Sequence, residues 1–353
     1  MMIKKLTLKN FRCFDDFTLE GIRPITLIAG TNNVGKSTLL ESIYLFMDRN
    51  SSDVFLKLNG FRGIREIPLS PQMLWEPLFR DMDSDKSISI CINSDEEKQT
   101  AVFNRDNSFT ISSIPEAILS HKTQSSIQLV NSYPLRLEYT DKTRSDISHF
   151  VITEAGITLS GRKPVTTPHG FFYSSSTTIT PSKVAELFGK VDLVGSKPRC
   201  IEILRLLDNR IKDLSVIVTG GIAVIFADLG LISKLPVAML GDGMNKLMSI
   251  ALLMLANPGA VILLDEIENG FHYSFFQKLW DIIGKLVTDT GCQLFATTHS
   301  YECINGAIAL SINKDAPNLF RFVRLDNSDE TIIPHVFEND SFEYAVENEW
   351  EIR

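Results

Sequence analysis

No stretch of this sequence stays apolar long enough to cross a bilayer. The longest runs, residues 250–256 and 261–264, are broken by Asn257, Pro258 and Asp265, well short of the roughly 20 residues a spanning helix needs. The opening Met-Met-Ile-Lys-Lys leads into alternating apolar positions, Ile3, Leu6 and Leu8, and lacks the continuous apolar core and small-residue cleavage site of a signal peptide. A cytoplasmic protein is expected. Cysteine pairs are also missing: Cys13, Cys91, Cys200, Cys292 and Cys303 are odd in number, scattered and never spaced as CxxC, which argues against a disulfide framework and against a zinc site. Positive charge is in deficit, with a formal net charge of -8. The average surface field therefore repels nucleic acid, and DNA could be held only by a local basic patch. Sustained heptads, internal repeats and low-complexity tracts are absent as well, which excludes a coiled-coil arm or a solenoid.

What is present is ordinary globular material, 44% hydrophobic and 22% charged, enough for a sizeable core. Residues 3–28 read as strand, turn, strand, with a β-rich run ending at Gly30 and helical spacing beginning at Lys36. Residues 50–80 are punctuated by Gly, Pro and Ser and read as loop. Short strands with polar turns follow, at 87–94, 100–111, 135–140 and 147–161, predicting an antiparallel sheet inserted into a nucleotide domain. Two amphipathic helices are expected over 181–213, and the apolar run 221–227 is expected to be a buried strand. Beyond it the pattern gives a helix at 244–255, a buried strand at 260–264, a helix at 273–288 and a buried strand at 293–297. Alternating strands and helices argue for an α/β fold with a mostly parallel sheet and helices on both faces. The expected organisation is an N-terminal part at 1–80, a β-rich insertion with a helical segment at 81–235, and a C-terminal part at 236–353.

The most specific motif is Gly30-Thr31-Asn32-Asn33-Val34-Gly35-Lys36-Ser37-Thr38, a full GxxxxGK with a following hydroxyl residue, set after a strand and before a helix. Its glycines let backbone N–H groups wrap phosphate oxygens, Lys36 would neutralise the outer phosphates of ATP, and the Ser37 hydroxyl would ligate Mg²⁺. A second motif, the apolar strand ending in Asp265 and Glu266, would deliver Asp265 to the Mg²⁺ shell and set Glu266 beside the γ-phosphate to activate water. A third, Thr297-Thr298-His299 at the end of another apolar strand, offers an imidazole to the γ-phosphate.

Together these motifs resemble the ABC-type ATPase heads of the RecF, SMC and OLD-like group, in particular the stand-alone AAA-family ATPases of bacterial defence loci. The likeness runs from LTLKNFRCF through DEIENGFH to the ending YAVENEWEIR. It implies a P-loop ATPase that closes as a homodimer on two ATP, each signature loop capping the nucleotide of the other copy. Leu240-Gly241-Asp242-Gly243 sits where that loop belongs, although Gly241 replaces the usual serine and Asp242 adds a negative charge. The resemblance also offers Gln72 as a loop glutamine near Mg²⁺, His272 as a residue reaching across the dimer, and Arg12 as an arginine near the phosphates; a solvated loop residue, a packed histidine and a solvent-facing turn arginine are the respective alternatives. By analogy the implied partner is a separately encoded effector, a Toprim-type nuclease in anti-phage defence. A RecF-like DNA-repair clamp is the competing reading; a transporter ATPase subunit and a self-contained nuclease fit the motif spacing less well.

Overall fold

The alternation near the N-terminus becomes two antiparallel strands, β1 (Ile3–Phe11) and β2 (Phe14–Leu19), paired from Leu6 with Leu19 to Phe11 with Phe14. Strand β3 (Ile25–Gly30) follows, buried at every position, and leads through the glycine-rich loop into α1 (Lys36–Met47). The computed structural model describes residues 1–64, 66–95, 97–108, 133–153, 156–161, 170–174, 179–313, 315–328, 331–348 and 350–353. Part of the strand expected at 100–111 lies outside the described residues. Two units are present: residues 1–22, 31–170 and 324–336 form one, and residues 23–30, 171–323 and 337–353 form the other.

In the first unit, α2 (Val54–Phe61) and α3 (Pro71–Leu74) occupy the stretch read from sequence as loop. Val54, Phe55 and Leu58 bury one face of α2, a spacing that the surrounding Gly and Ser residues obscured. Strands β4 (Ile88–Ser94), β5 (Lys98–Arg105), β6 (Leu135–Thr140), β7 (Ser145–Thr153) and β8 (Gly156–Gly161) join the first two strands in an antiparallel sheet of order β2-β1-β4-β5-β6-β7-β8. The strands expected as an insertion thus continue the N-terminal hairpin through the β1–β4 ladder. Aromatic edges fix the helices on this sheet: Phe55 meets Phe150 at 4.8 Å and Trp75 at 5.6 Å, and the buried Arg49 lies 3.9 Å over the Tyr139 ring. Each such pair contributes about 0.5–1.5 kcal/mol beyond the area it buries.

The second unit holds the parallel sheet. After β9 (Gly170–Tyr173) come α4 (Pro181–Leu193), α5 (Lys197–Arg205), β10 (Asp213–Thr219), β11 (Ile222–Asp228) and β12 (Leu235–Pro236). The chain continues with α6 (Asp242–Ala256), β13 (Val261–Leu264), α7 (Phe276–Thr290), β14 (Gln293–Thr297), α8 (Tyr301–Gly306), α9 (Ile308–Ser311), β15 (Phe320–Ser328), β16 (Thr331–Phe337) and α10 (Asn339–Glu347). Strand order is β15-β3-β14-β13-β9. Strand β14 pairs in parallel with β3 on one side and β13 on the other. All three are buried throughout, as strands covered on both faces must be.

Their carboxyl ends therefore lie at one edge, where Gly30, Asp265 and Thr298 leave the sheet. That edge is where ligands bind in open parallel sheets.

One expectation is overturned. Residues 221–227 do not form a buried strand: β11 pairs with β10 and β12 in a separate antiparallel sheet, and Ile222 is 51% exposed. One face of such a sheet can meet solvent, so a run of apolar letters there buries only alternate residues such as Ile225 and Ala227.

Candidate functional site

The P-loop conformation is set by residues that tolerate left-handed backbone. Asn33 has φ 66° and Gly35 has φ 94°. A side chain at Gly35 would also bring a Cβ within 2.8 Å of Cys13 Sγ and 3.1 Å of the Phe14 ring, so this position is closed to other residues on two counts. Thr31, Asn32 and Asn33 face solvent, Val34 is buried, and α1 opens with neither a side-chain cap nor an acidic residue in its first turn. That leaves a helix start suited to an anion. Lys36 Nζ donates to the Thr31 carbonyl at 2.9 Å, which folds the ammonium over the loop.

Arg12 is not the solvent-facing turn arginine that its loop position suggested. Its side chain is only 14% exposed, its φ is 50°, and its Nη1 lies 2.9 Å from Glu41 Oε2 on α1. Arg62 grips the other Glu41 oxygen at 2.7 Å and reaches the Thr38 hydroxyl at 3.3 Å. Burial lowers the Arg12 guanidinium below its ordinary range, and Glu41 opposes that shift. The P-loop helix is therefore anchored through an acid that no motif singled out. Gln72 is exposed on the first turn of α3, directly after Pro71.

In the second unit, Asp265 and Glu266 follow β13. The Thr297 hydroxyl donates to Asp265 Oδ1 at 2.6 Å and accepts the Glu266 N–H at 2.9 Å, so β14 orients both acids. Glu266 has φ 51°, a left-handed conformation that is costly for a residue with a Cβ. Its carboxylate accepts from Asn269 Nδ2 at 2.7 Å. His299 lies two residues beyond the end of β14, with its ring half exposed and its Nδ1 2.8 Å from Glu268 Oε1. His272 caps a short turn, accepting from the Ser274 N–H. The strand pattern made the three motif residues legible; Thr297, Glu268 and Asn269 were missed, and the hint for Thr297 was a hydroxyl in an otherwise apolar strand.

The loop expected to be the signature is exposed at Gly241 and Asp242. Gly241 has φ 105° and ψ 163°, a region essentially closed to other residues, which explains why glycine rather than serine stands there. Gly243 packs so closely on the acid loop that a Cβ would lie 2.6 Å from the Gly270 carbonyl oxygen. One turn on, Lys246 Nζ donates to the Glu266 carbonyl at 2.7 Å. Signature helix and acid loop thus meet at two points. Asp242, Asn245, Lys246, Asn269 and Gly270 also line one side of an apolar pocket of 410 Å³.

Lys246 is buried, and burial pulls its ammonium down from 10.5 to about 8, with Glu268, Glu266 and Asp265 opposing the shift. Between those values the unfolded chain binds more protons than the folded one, so this group's contribution to stability rises with pH. Relative to Lys246→Met, wild type should gain about 2 kcal/mol between pH 7 and pH 10, at about 1.4 kcal/mol per pH unit over the window. Urea unfolding of both proteins at the two pH values measures it; a constant difference would refute a buried ammonium.

These features define a P-loop ATPase. Residues 1–162 match the family model described as "AAA ATPase domain" and residues 191–305 the one described as "AAA domain, putative AbiEii toxin, Type IV TA system". The chain is similar to an ATP/GTP phosphatase of Helicobacter pylori, with 26% identity over 99% of both chains. It is also 34% identical to an OLD nuclease of Thermus scotoductus, over 29% of this chain and 16% of that protein. In fold it matches an SMC head solved bound to the C-winged helix domain of ScpA, at TM-score 0.52 and 14% identity, over 98% of this chain and all of that one. These likenesses support ATP hydrolysis, and the fold is similar to that of an SMC head. Among its described residues no helix is long and apolar enough to cross a membrane.

Proposed function

We propose that two copies of this ATPase close on two ATP molecules, that hydrolysis reopens them, and that the cycle sets the state of a partner effector. The observation that carries this reading is the double attachment of the signature helix to the acid loop, through Gly243 against Gly270 and Lys246 against Glu266. An exposed helix start that caps a nucleotide on a second copy would thereby be tied to the acid that acts on its own nucleotide.

In this reading the backbone N–H groups of residues 30–38 and the Lys36 ammonium hold the phosphates, with Arg12 near them, while Gly241, Asp242 and Gly243 cap from the other copy. Ser37, Asp265 and Gln72 are the groups that would hold Mg²⁺, which when bound neutralises phosphate charge. The Thr297 bond that aims Asp265 suits a metal ligand. Glu266 orients the attacking water, and His299 offers its exposed ring nitrogen to the γ-phosphate. Residues 1–80 and 236–353 would supply the nucleotide site, with 81–235 as the docking side.

The partial likeness to an OLD nuclease supports a nuclease as the kind of effector; that it is carried on a separate chain and serves antiviral defence is part of the proposal. Light scattering tests the switch. The mass should double on adding a non-hydrolysable ATP analogue and stay single with ADP; a mass indifferent to nucleotide would refute the closing dimer.

A further inference from the structure

We propose that Glu268 is a positioning residue for His299: its carboxylate fixes the imidazole as the Nδ1–H tautomer and turns Nε2 outward. The inference rests on the reading of His299 as the group that meets the γ-phosphate. Glu268 Oε1 lies 2.8 Å from His299 Nδ1 and also accepts the His299 backbone N–H at 3.0 Å. One oxygen thus holds both the ring and the backbone of a residue 31 positions away. An ionised carboxylate has only acceptor sites, so the nitrogen facing it must carry a hydrogen. Nε2 is then the open nitrogen: an acceptor in the neutral ring, and a donor to a phosphate oxygen when that nitrogen also carries a proton.

A purely structural role does not account for this carboxylate. The Glu268 side chain is 8% exposed, and its other oxygen, Oε2, is buried with no hydrogen-bond partner among the described residues. A buried acceptor left unsatisfied costs the fold about 1–3 kcal/mol. An apolar residue would leave no such orphan, whereas a carboxylate can hold the ring N–H and the backbone N–H together. The same group lies close enough to Lys246 to raise its pKa. The carboxylate therefore sits between the signature helix and the switch histidine.

Three measurements test the proposal. Glu268→Ala should lower kcat for ATP on the order of tenfold or more with little change in KM, and Glu268→Gln, which keeps an acceptor, should retain more turnover than Glu268→Ala. In a His299→Gln background, Glu268→Ala should have no further effect, because it acts through the ring; an additive loss would overturn the inference. Long-range ¹H–¹⁵N spectra of wild type at alkaline pH should show His299, identified by its absence from the His299→Gln spectrum, with its proton on Nδ1. A proton on Nε2 would overturn the inference even if no Glu268 variant folded. Unchanged turnover in His299→Gln would remove the reading on which the proposal rests, while a defective His299→Gln beside an unaffected Glu268→Ala would remove this inference alone.

Discussion

Lys36→Ala should fail to bind ATP while remaining folded. The Lys36 ammonium donates to the Thr31 carbonyl of its own loop, and Lys36 sits in the first turn of α1, where alanine is the better helix former. In the nucleotide complex it would supply charge-assisted hydrogen bonds to the outer phosphates, each contributing about 1.5–3 kcal/mol. Losing two such bonds weakens binding by about a hundredfold or more at about 1.4 kcal/mol per tenfold. Calorimetric titration should give saturable heat for wild type and none for the variant at the same concentrations, with circular dichroism unchanged. A folded variant that binds ATP within about threefold of wild type would remove Lys36 from the site.

Glu266→Gln should bind ATP normally and stop turning it over. Glutamine keeps the shape of the side chain, its amide oxygen can accept from Asn269 Nδ2 in place of Oε2, and the backbone bonds to Thr297 and Lys246 are untouched. Only the charge that would orient and deprotonate water is lost, worth about 10²- to 10⁴-fold in rate. The variant should accumulate with uncleaved nucleotide in single-turnover experiments. Steady-state turnover within about threefold of wild type would mean that less than about 1 kcal/mol of transition-state stabilisation had been lost, and the acid would have to be sought elsewhere.

The P-loop, the acidic pair and the histidine were legible because each is spelled by residues adjacent in the chain: glycines for an unusual backbone, unbroken apolar runs for strands covered on both faces, polar residues where those strands end. What stayed hidden depends on partners distant in sequence. Arg12 looked like a turn residue because Glu41, its partner, lies in the middle of a helix that otherwise reads as apolar. The roles of Thr297 and Glu268 exist only once β13 and β14 lie side by side. Residues 221–227 misled because the apolar letters of an exposed sheet face and of a buried strand look alike; only the pairing partners decide which face water meets.

The left-handed backbone of Glu266 also bears on how this chain could drift under mutation. Glycine or asparagine at 266 would relax a conformation that costs a glutamate about 1–3 kcal/mol. Set against that gain is the bond from Asn269 Nδ2, which glycine would lose. Arg12 differs: its φ of 50° is also unfavourable for a long side chain, but its ion pair with the buried Glu41 gives the fold a reason to keep it. On the role proposed for Glu266, position 266 is where the demands of activity and of durability would pull this sequence in opposite directions.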